Sequence, residues 1–248
     1  MNPSDSAADR IRAHLARVQD LRLQAQAAGL GAAVTEVKEL QALRFRATYA
    51  DLIQDPACAP ATRFFLDELY GVHDFAQRDA QFGRIAGAVE RLFPEAVAQL
   101  AVDLAETHAL TEVLDHELAR HWLDQDPALG PAMRYTRSWR LANDRPARER
   151  QLAVVQHMGL ELQRLTRKKS LRLALRMMRN PARAAGLESL QHFLESGFDA
   201  FAALGDARRF LDTIEQRESR WIDTLFDAPP AQCSQALAAE LERGQASA

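Results

Sequence analysis

Apolar residues recur along this chain at spacings of three and four, the period of a helix buried on one side. Nowhere do Val, Ile, Thr and Tyr alternate in twos with polar residues, so no strand is predicted. Helix punctuation bounds the periodic stretches. A first helix is predicted from about Asp5 to Ala28, stopped by Gly29 and Gly31, and a second from about Ala33 to Gln54, stopped by Asp55-Pro56. A third starts near Pro60 and ends at Gly71, because glycine suits the residue after a helix C-terminus. Asp74 reads as an N-cap, with Gln77 completing a capping box, for a helix to about Leu92. Pro94 suits the first turn of the next helix, carried to about Trp122. Asp126-Pro127 reads as cap and first turn of a helix to about Leu141. Asn143 or Asp144 caps a long helix to about Arg179, with a break expected near Lys169-Ser170. Asn180-Pro181 opens a helix to about Ala203, and Asp206, after Gly205, caps the last long one, to about Phe226.

These elements predict an all-α fold, a compact bundle of roughly eight to ten helices, mostly antiparallel because the connections are short. One domain is expected over residues 1–230. Asp227-Ala228-Pro229-Pro230 then breaks the chain, leaving residues 231–248 as a C-terminal tail, a short helix or frayed. Length and composition agree: 248 residues, 47% of them hydrophobic, suffice for a large core. No uncharged apolar run approaches the length of a membrane span, and Met1 to Asp20 lacks the apolar stretch of a secretory signal. Cys58 and Cys233 lie far apart and form no CxxC, so the cytoplasm is the expected compartment.

Charge changes the picture. Residues 134–183 hold 14 Lys or Arg against three acids, Asp144, Glu149 and Glu161, and are therefore +11 in a chain of net −3, which leaves −14 for the rest. Within that segment Arg164, Lys168, Arg172, Arg176, Arg179 and Arg183 recur every three or four residues. On one continuous helix they would form a stripe, with Leu171, Leu173, Ala174, Leu175, Met177 and Met178 between them. Such a stripe takes an anion, as an acidic protein or a small anionic ligand, unless the acidic remainder neutralises it within the fold. It has no interleaved aromatics, no zinc-finger spacing and no helix-turn-helix signal, which argues against nucleic acid.

The densest aromatic cluster is Arg63-Phe64-Phe65-Leu66-Asp67-Glu68-Leu69-Tyr70-Gly71, followed by Phe75 and Phe82. Phe64, Phe65, Tyr70, Phe75 and Phe82 read first as core; the functional alternative is an apolar pocket that they line. Here the chain resembles a family of uncharacterised bacterial proteins named for an FFLEELY motif. It carries the motif as Phe64-Phe65-Leu66-Asp67-Glu68-Leu69-Tyr70, with Asp67 for the first Glu. The similarity extends through Gly71, Asp74-Phe75 and Arg78-Asp79, and through Leu171 to Arg183 and Leu190 to Phe201. The resemblance implies a bacterial helical protein and no activity, cofactor or catalytic residue.

Polar residues inside an apolar stripe are the remaining signal. Val97, Leu100, Ala101, Leu104, Leu114, Leu118 and Trp122 define such a stripe, and His108 and Asp115 fall within it, with Glu112 at its edge. Each costs about 1–3 kcal/mol if buried without a partner. A hydrogen-bonded structural network is one reading; metal or haem ligation by His108, Glu112 and Asp115 is the other, since bundle cores build metal sites this way. The Glu-x-x-His pairs of di-metal bundles are absent, as are P-loop, GxGxxG, GxSxG and HExxH motifs. Gly197 is expected to allow close helix packing. The sequence thus favours a non-enzymatic helical binding or interaction protein with a basic stripe and an apolar pocket, and leaves a metal- or haem-binding bundle as the alternative; it identifies no cofactor.

Overall fold

The computed structural model describes residues 5–73 and 75–246. Among them lie thirteen α-helices and one π-helical turn, and no strand. In chain order they are α1 (Ala7–Ala27), α2 (Gly31–Thr48), α3 (Ala50–Gln54), α4 (Ala59–Phe64), the π turn Phe65–Leu69, α5 (Ala76–Leu92) and α6 (Glu95–Leu123). There follow α7 (Pro131–Ala142), α8 (Arg145–Thr166), α9 (Lys169–Met177), α10 (Arg179–Ala184), α11 (Glu188–Ala203), α12 (Ala207–Asp227) and α13 (Pro230–Ala246).

The count exceeds eight to ten because three expected helices are divided. Tyr49 interrupts the second, with a ψ of 18° that leaves the helical well. The long basic helix ends at Thr166, and α9 restarts after an extended Lys168. Gly186, at φ 65°, splits the helix expected from Asn180, so Asn180-Pro181 falls inside the short α10 instead of opening α11. Asp126 does not cap α7: it accepts the Ala128 N–H at 2.9 Å in a local turn, and Pro131 takes the first helical position. Asp144 and Asp206 do cap their helices, accepting the N–H groups of Ala147 and Arg209. The expected cap at Asp74 lies outside the described residues.

The 29-residue α6 runs through the centre and packs against α1, α2, α5, α7 and α8. Its inner face mixes Ala and Leu with six buried polar residues from Thr107 to His116; His108, Glu112, Asp115 and Thr111 find partners on neighbouring helices, whereas the Thr107 hydroxyl and His116 Nδ1 have none among the described residues. Residues 231–248 were expected as a tail, a short helix or frayed; of the two, the helix is found, and α13 packs on α2 and α7 with Cys233 and Leu237 fully buried. Gly244 is required there, since a Cβ would collide with the Leu43 carbonyl. No helix among the described residues is long and apolar enough to cross a membrane.

Candidate ligand-binding site

The site begins with Phe64 and Phe65. Both are buried, Phe64 against Phe193 (ring centroids 5.3 Å apart) and Phe65 between Phe201 and Phe210 (5.7 and 6.0 Å). At Phe65 the helix loosens into the π turn, closed by the Tyr70 N–H on the Phe65 carbonyl at 3.2 Å, five residues back. The extra residue advances the helical phase by about 100°. Tyr70, at the end of this turn, faces a second cavity that Phe65 also borders.

Behind these rings is a cavity of about 360 Å³, in the size range of small-molecule pockets. Phe64, Phe65 and Phe82 line it, as do Leu100 and Leu104 of α6 and Met158 and Leu162 of α8. Among the described residues Gln191 is the only polar side chain in its wall, and its amide nitrogen is engaged, donating to the Leu175 carbonyl at 2.7 Å and to Glu195 at 2.9 Å. The rest of the wall is apolar among the described residues, so the cavity favours apolar matter over water. Gly197 forms part of the wall beside Phe64; a Cβ there would sit 2.6 Å from the Phe64 ring. The expected close approach is thus at an aromatic ring of α4. Leu92, Met178 and Leu194 line the cavity yet are 77%, 45% and 37% exposed, and mark its mouth.

One wall differs from the rest. Helix α9 contributes Leu171 and Leu175 to the cavity but contains no buried residue. It is strongly amphipathic, with Arg172 and Arg176 on its solvent side. Polar ties fasten it to α11: Arg172 to Asp199 at 2.7 Å, and the Gln191–Leu175 hydrogen bond. Just beyond, Arg179 pairs with Glu195 and Arg183 with Glu188, each at 2.7 Å. Exposed pairs of this kind contribute about 0–1 kcal/mol each.

The six predicted basic residues therefore do not form one stripe on one helix. Arg164 sits near the end of α8 and pairs with Glu161. Arg172, Arg179 and Arg183 are neutralised by acids of the α11 region, which accounts for part of the internal charge compensation. Lys168 and Arg176 carry no side-chain hydrogen bond or ion pair among the described residues, and both are exposed, at the start and on the outer face of α9.

Two of the five predicted pocket aromatics lie elsewhere. Tyr70 lines a second, polar cavity, where burial pushes its hydroxyl far above the ordinary range. Phe75 stands edge-on to His108, 6.0 Å between ring centroids, with the Arg78 guanidinium 3.9 Å over its face. His108, Glu112 and Asp115 share a face of α6 but are drawn to separate partners. His108 meets Asp79 at 2.9 Å, Glu112 accepts from Lys38 at 2.7 Å, and Asp115 accepts from Gln41 at 3.0 Å. Asp79 also pairs with Arg22 at 2.9 Å. Burial raises the Asp79 pKa, but the hydrogen bond from His108 and the nearby charges outweigh it and the net shift is downward. Among the described residues no group of three His, Cys, Asp or Glu side chains is placed to hold a metal ion.

The sequence reading missed Leu171 and Leu175 as pocket residues. The signal was present: an amphipathic segment whose apolar side the neighbouring sequence did not obviously cover. A family model, the domain of unknown function DUF8198, matches residues 20–232. No curated protein and no solved structure matches the chain.

Proposed function

We propose that this chain, which belongs to the DUF8198 family of domains, is a non-enzymatic binding protein for a single-chain anionic amphiphile of the fatty-acid type. The ligand's hydrocarbon chain occupies the cavity behind Phe64 and Phe65, and its anionic head lies at the mouth near Lys168 and Arg176. The observation that carries this reading is the cavity of about 360 Å³, whose wall among the described residues is apolar except for Gln191, its amide nitrogen already engaged. Burying each methylene there contributes about 0.8 kcal/mol. Some ten methylenes would therefore supply about 8 kcal/mol before the cost of ordering the chain. The head group is argued from charge: Lys168, just before the covering helix, and Arg176, on its outer face, are exposed and make no side-chain hydrogen bond or ion pair among the described residues, and an ion pair at the rim adds selectivity more than affinity. Helix α9 acts as the lid, since it covers the cavity with no buried residue of its own.

Calorimetric titration with dodecanoate and with dodecanol tests the proposal. Dodecanoate is expected to bind at one per chain in the micromolar range, and dodecanol more weakly. Leu175→Asp places a carboxylate in the wall from a helix outside the core, and is expected to lower dodecanoate affinity at least tenfold with an unchanged circular dichroism spectrum. Absence of dodecanoate binding to the folded wild type, or equal binding to Leu175→Asp, would contradict it.

A further inference from the structure

On the other face of Phe65 is a smaller cavity, of about 80 Å³, walled by α2, α6, α7, α8 and α12. Its chemistry is the reverse of its neighbour's. Two arginines, two carboxylates, three tyrosines and two glutamines line it. Most of these groups are consumed by one another. Arg44 grips Glu218 through both guanidinium nitrogens, at 3.0 and 2.7 Å, and the Tyr49 hydroxyl donates to the same carboxylate at 2.6 Å. Gln151 donates to Thr111 at 2.8 Å.

Arg148 and Asp115 stand apart. The half-buried Arg148 places its guanidinium over the Trp139 ring, 3.9 Å from its centroid, and its side chain makes no hydrogen bond or ion pair among the described residues. Stacking fixes the fork without using any of its five N–H donors. Asp115 is 2% exposed, and of its two oxygens only Oδ1 receives a hydrogen bond, from Gln41. Burial pushes the Asp115 carboxyl up and the Arg148 guanidinium down, so neither charge is fully compensated where it stands. Asp115 is buried and Arg148 half-buried, and a charge withdrawn from water in this way destabilises a protein unless something else completes it.

We infer that this cavity is a binding site for a small zwitterionic amino-carboxylate, its carboxylate held by Arg148 and its ammonium by Asp115. Size and charge both narrow the class. At about 10–15 Å³ for each water-sized sphere, the cavity holds on the order of five to eight non-hydrogen atoms, the span of the smallest α-amino acids. Arg44 and Glu218 cancel, and so do Arg148 and Asp115. A ligand carrying both charges leaves the interior neutral, whereas a plain anion or a plain amine adds an uncompensated charge in a low-dielectric space. The Arg148 fork suits a planar carboxylate, which it meets with two parallel N–H donors. The free oxygen of Asp115 accepts from the ammonium. This site is independent of the fatty-acid reading: it shares only the Phe65 wall, and dodecanoate binding can fail while amino-acid binding succeeds, or the reverse.

The test is calorimetric titration of the full chain with glycine, L-alanine, L-serine and L-valine, beside L-lactate and ethylamine as single-charge controls. At least one of the four amino acids is expected to bind with submillimolar affinity, at least tenfold more tightly than either control. Arg148→Lys keeps the charge but not the fork, and is expected to lose at least tenfold. Asp115→Asn is expected to weaken amino-acid binding and reverse the preference, so that L-lactate binds as well or better; a purely structural aspartate would not produce that reversal. The inference is overturned if none of the four binds the folded wild type, if lactate binds it more tightly than alanine, or if both variants bind as the wild type does. Should either variant fail to fold by circular dichroism, the wild-type preference for the zwitterion over both controls decides the matter alone.

Discussion

On one side of Phe65 the interior is held by directional bonds; on the other it is held by packing against a helix that is itself barely packed. The polar cavity lies among helices that exchange buried hydrogen bonds across it, such as Arg44 to Glu218 and Gln41 to Asp115. Moving any of those helices breaks bonds that water does not replace, so the space keeps its shape. The apolar cavity has no such restraint. Its wall includes α9, tied down by an exposed ion pair and one hydrogen bond to a backbone carbonyl. Apolar contact is non-directional and tolerates repacking. The same fold thus provides a rigid compartment suited to recognising a small polar molecule by its geometry, and a deformable one suited to a flexible chain.

The largest expected effect comes from removing the shared wall. Phe65→Ala should cost about 3–5 kcal/mol by denaturant unfolding, because Phe65 is buried between Phe201 and Phe210 and borders both cavities. A loss under 1 kcal/mol would mean that the surroundings collapse into the gap and that the two compartments are not separately built. Next is Arg44→Met, which leaves Glu218 facing only Tyr49 and should cost about 3 kcal/mol. The double variant Arg44→Met/Glu218→Met should recover most of that loss, and no recovery would remove the pair from the account of rigidity.

A smaller effect tests whether satisfied buried charge governs acid stability. The folded pKa of Asp79 is depressed, so its contribution is fully present above the unfolded value near 4 and is lost as pH falls through the lower folded value. Asp79→Asn should cost about 2 kcal/mol at pH 7 and flatten the acid limb of the stability profile between about pH 5 and 2. An acid limb unchanged in this variant would assign the sensitivity to other groups. The smallest effect is on the lid. Arg172→Ala should change global stability by no more than about 0.5 kcal/mol, yet accelerate amide exchange in α9. Added salt should have the same effect on the wild type.

The fold was legible wherever an element carries its own boundary. Asp206 and Asp144 cap α12 and α8 with their side chains, Gly29 at φ 68° stops α1, and the apolar stripe of α6 is buried over its second half, at Leu114, Leu118 and Trp122. Boundaries were lost where the decisive contact is tertiary or conformational. Asp126-Pro127 has the composition of a helix start, but Asp126 folds back on Ala128 and the helix waits for Pro131. Nothing in the composition of residues 179–203 announces that Gly186 interrupts them. For the site, all five aromatics were read as a possible pocket; Phe64, Phe65 and Phe82 border the apolar cavity, whereas Tyr70 faces the polar one and Phe75 packs on His108, a division that depends on which helices meet them and leaves no trace in a hydrophobic pattern. Arg148 was hidden more completely. In an arginine-rich segment it resembles a solvent-facing charge, and only the positions of Trp139 and Asp115 on other helices make it part of a cavity wall.

The most direct measurement of the central claim is hydrogen exchange by mass spectrometry, with and without dodecanoate. The account expects the amides of α9, residues 169–177, to exchange faster than those of α6 in the free protein and to gain at least tenfold protection on addition of dodecanoate, with α6 unchanged. Dodecanoate that leaves α9 exchange untouched would contradict the claim that this helix closes over a bound hydrocarbon chain.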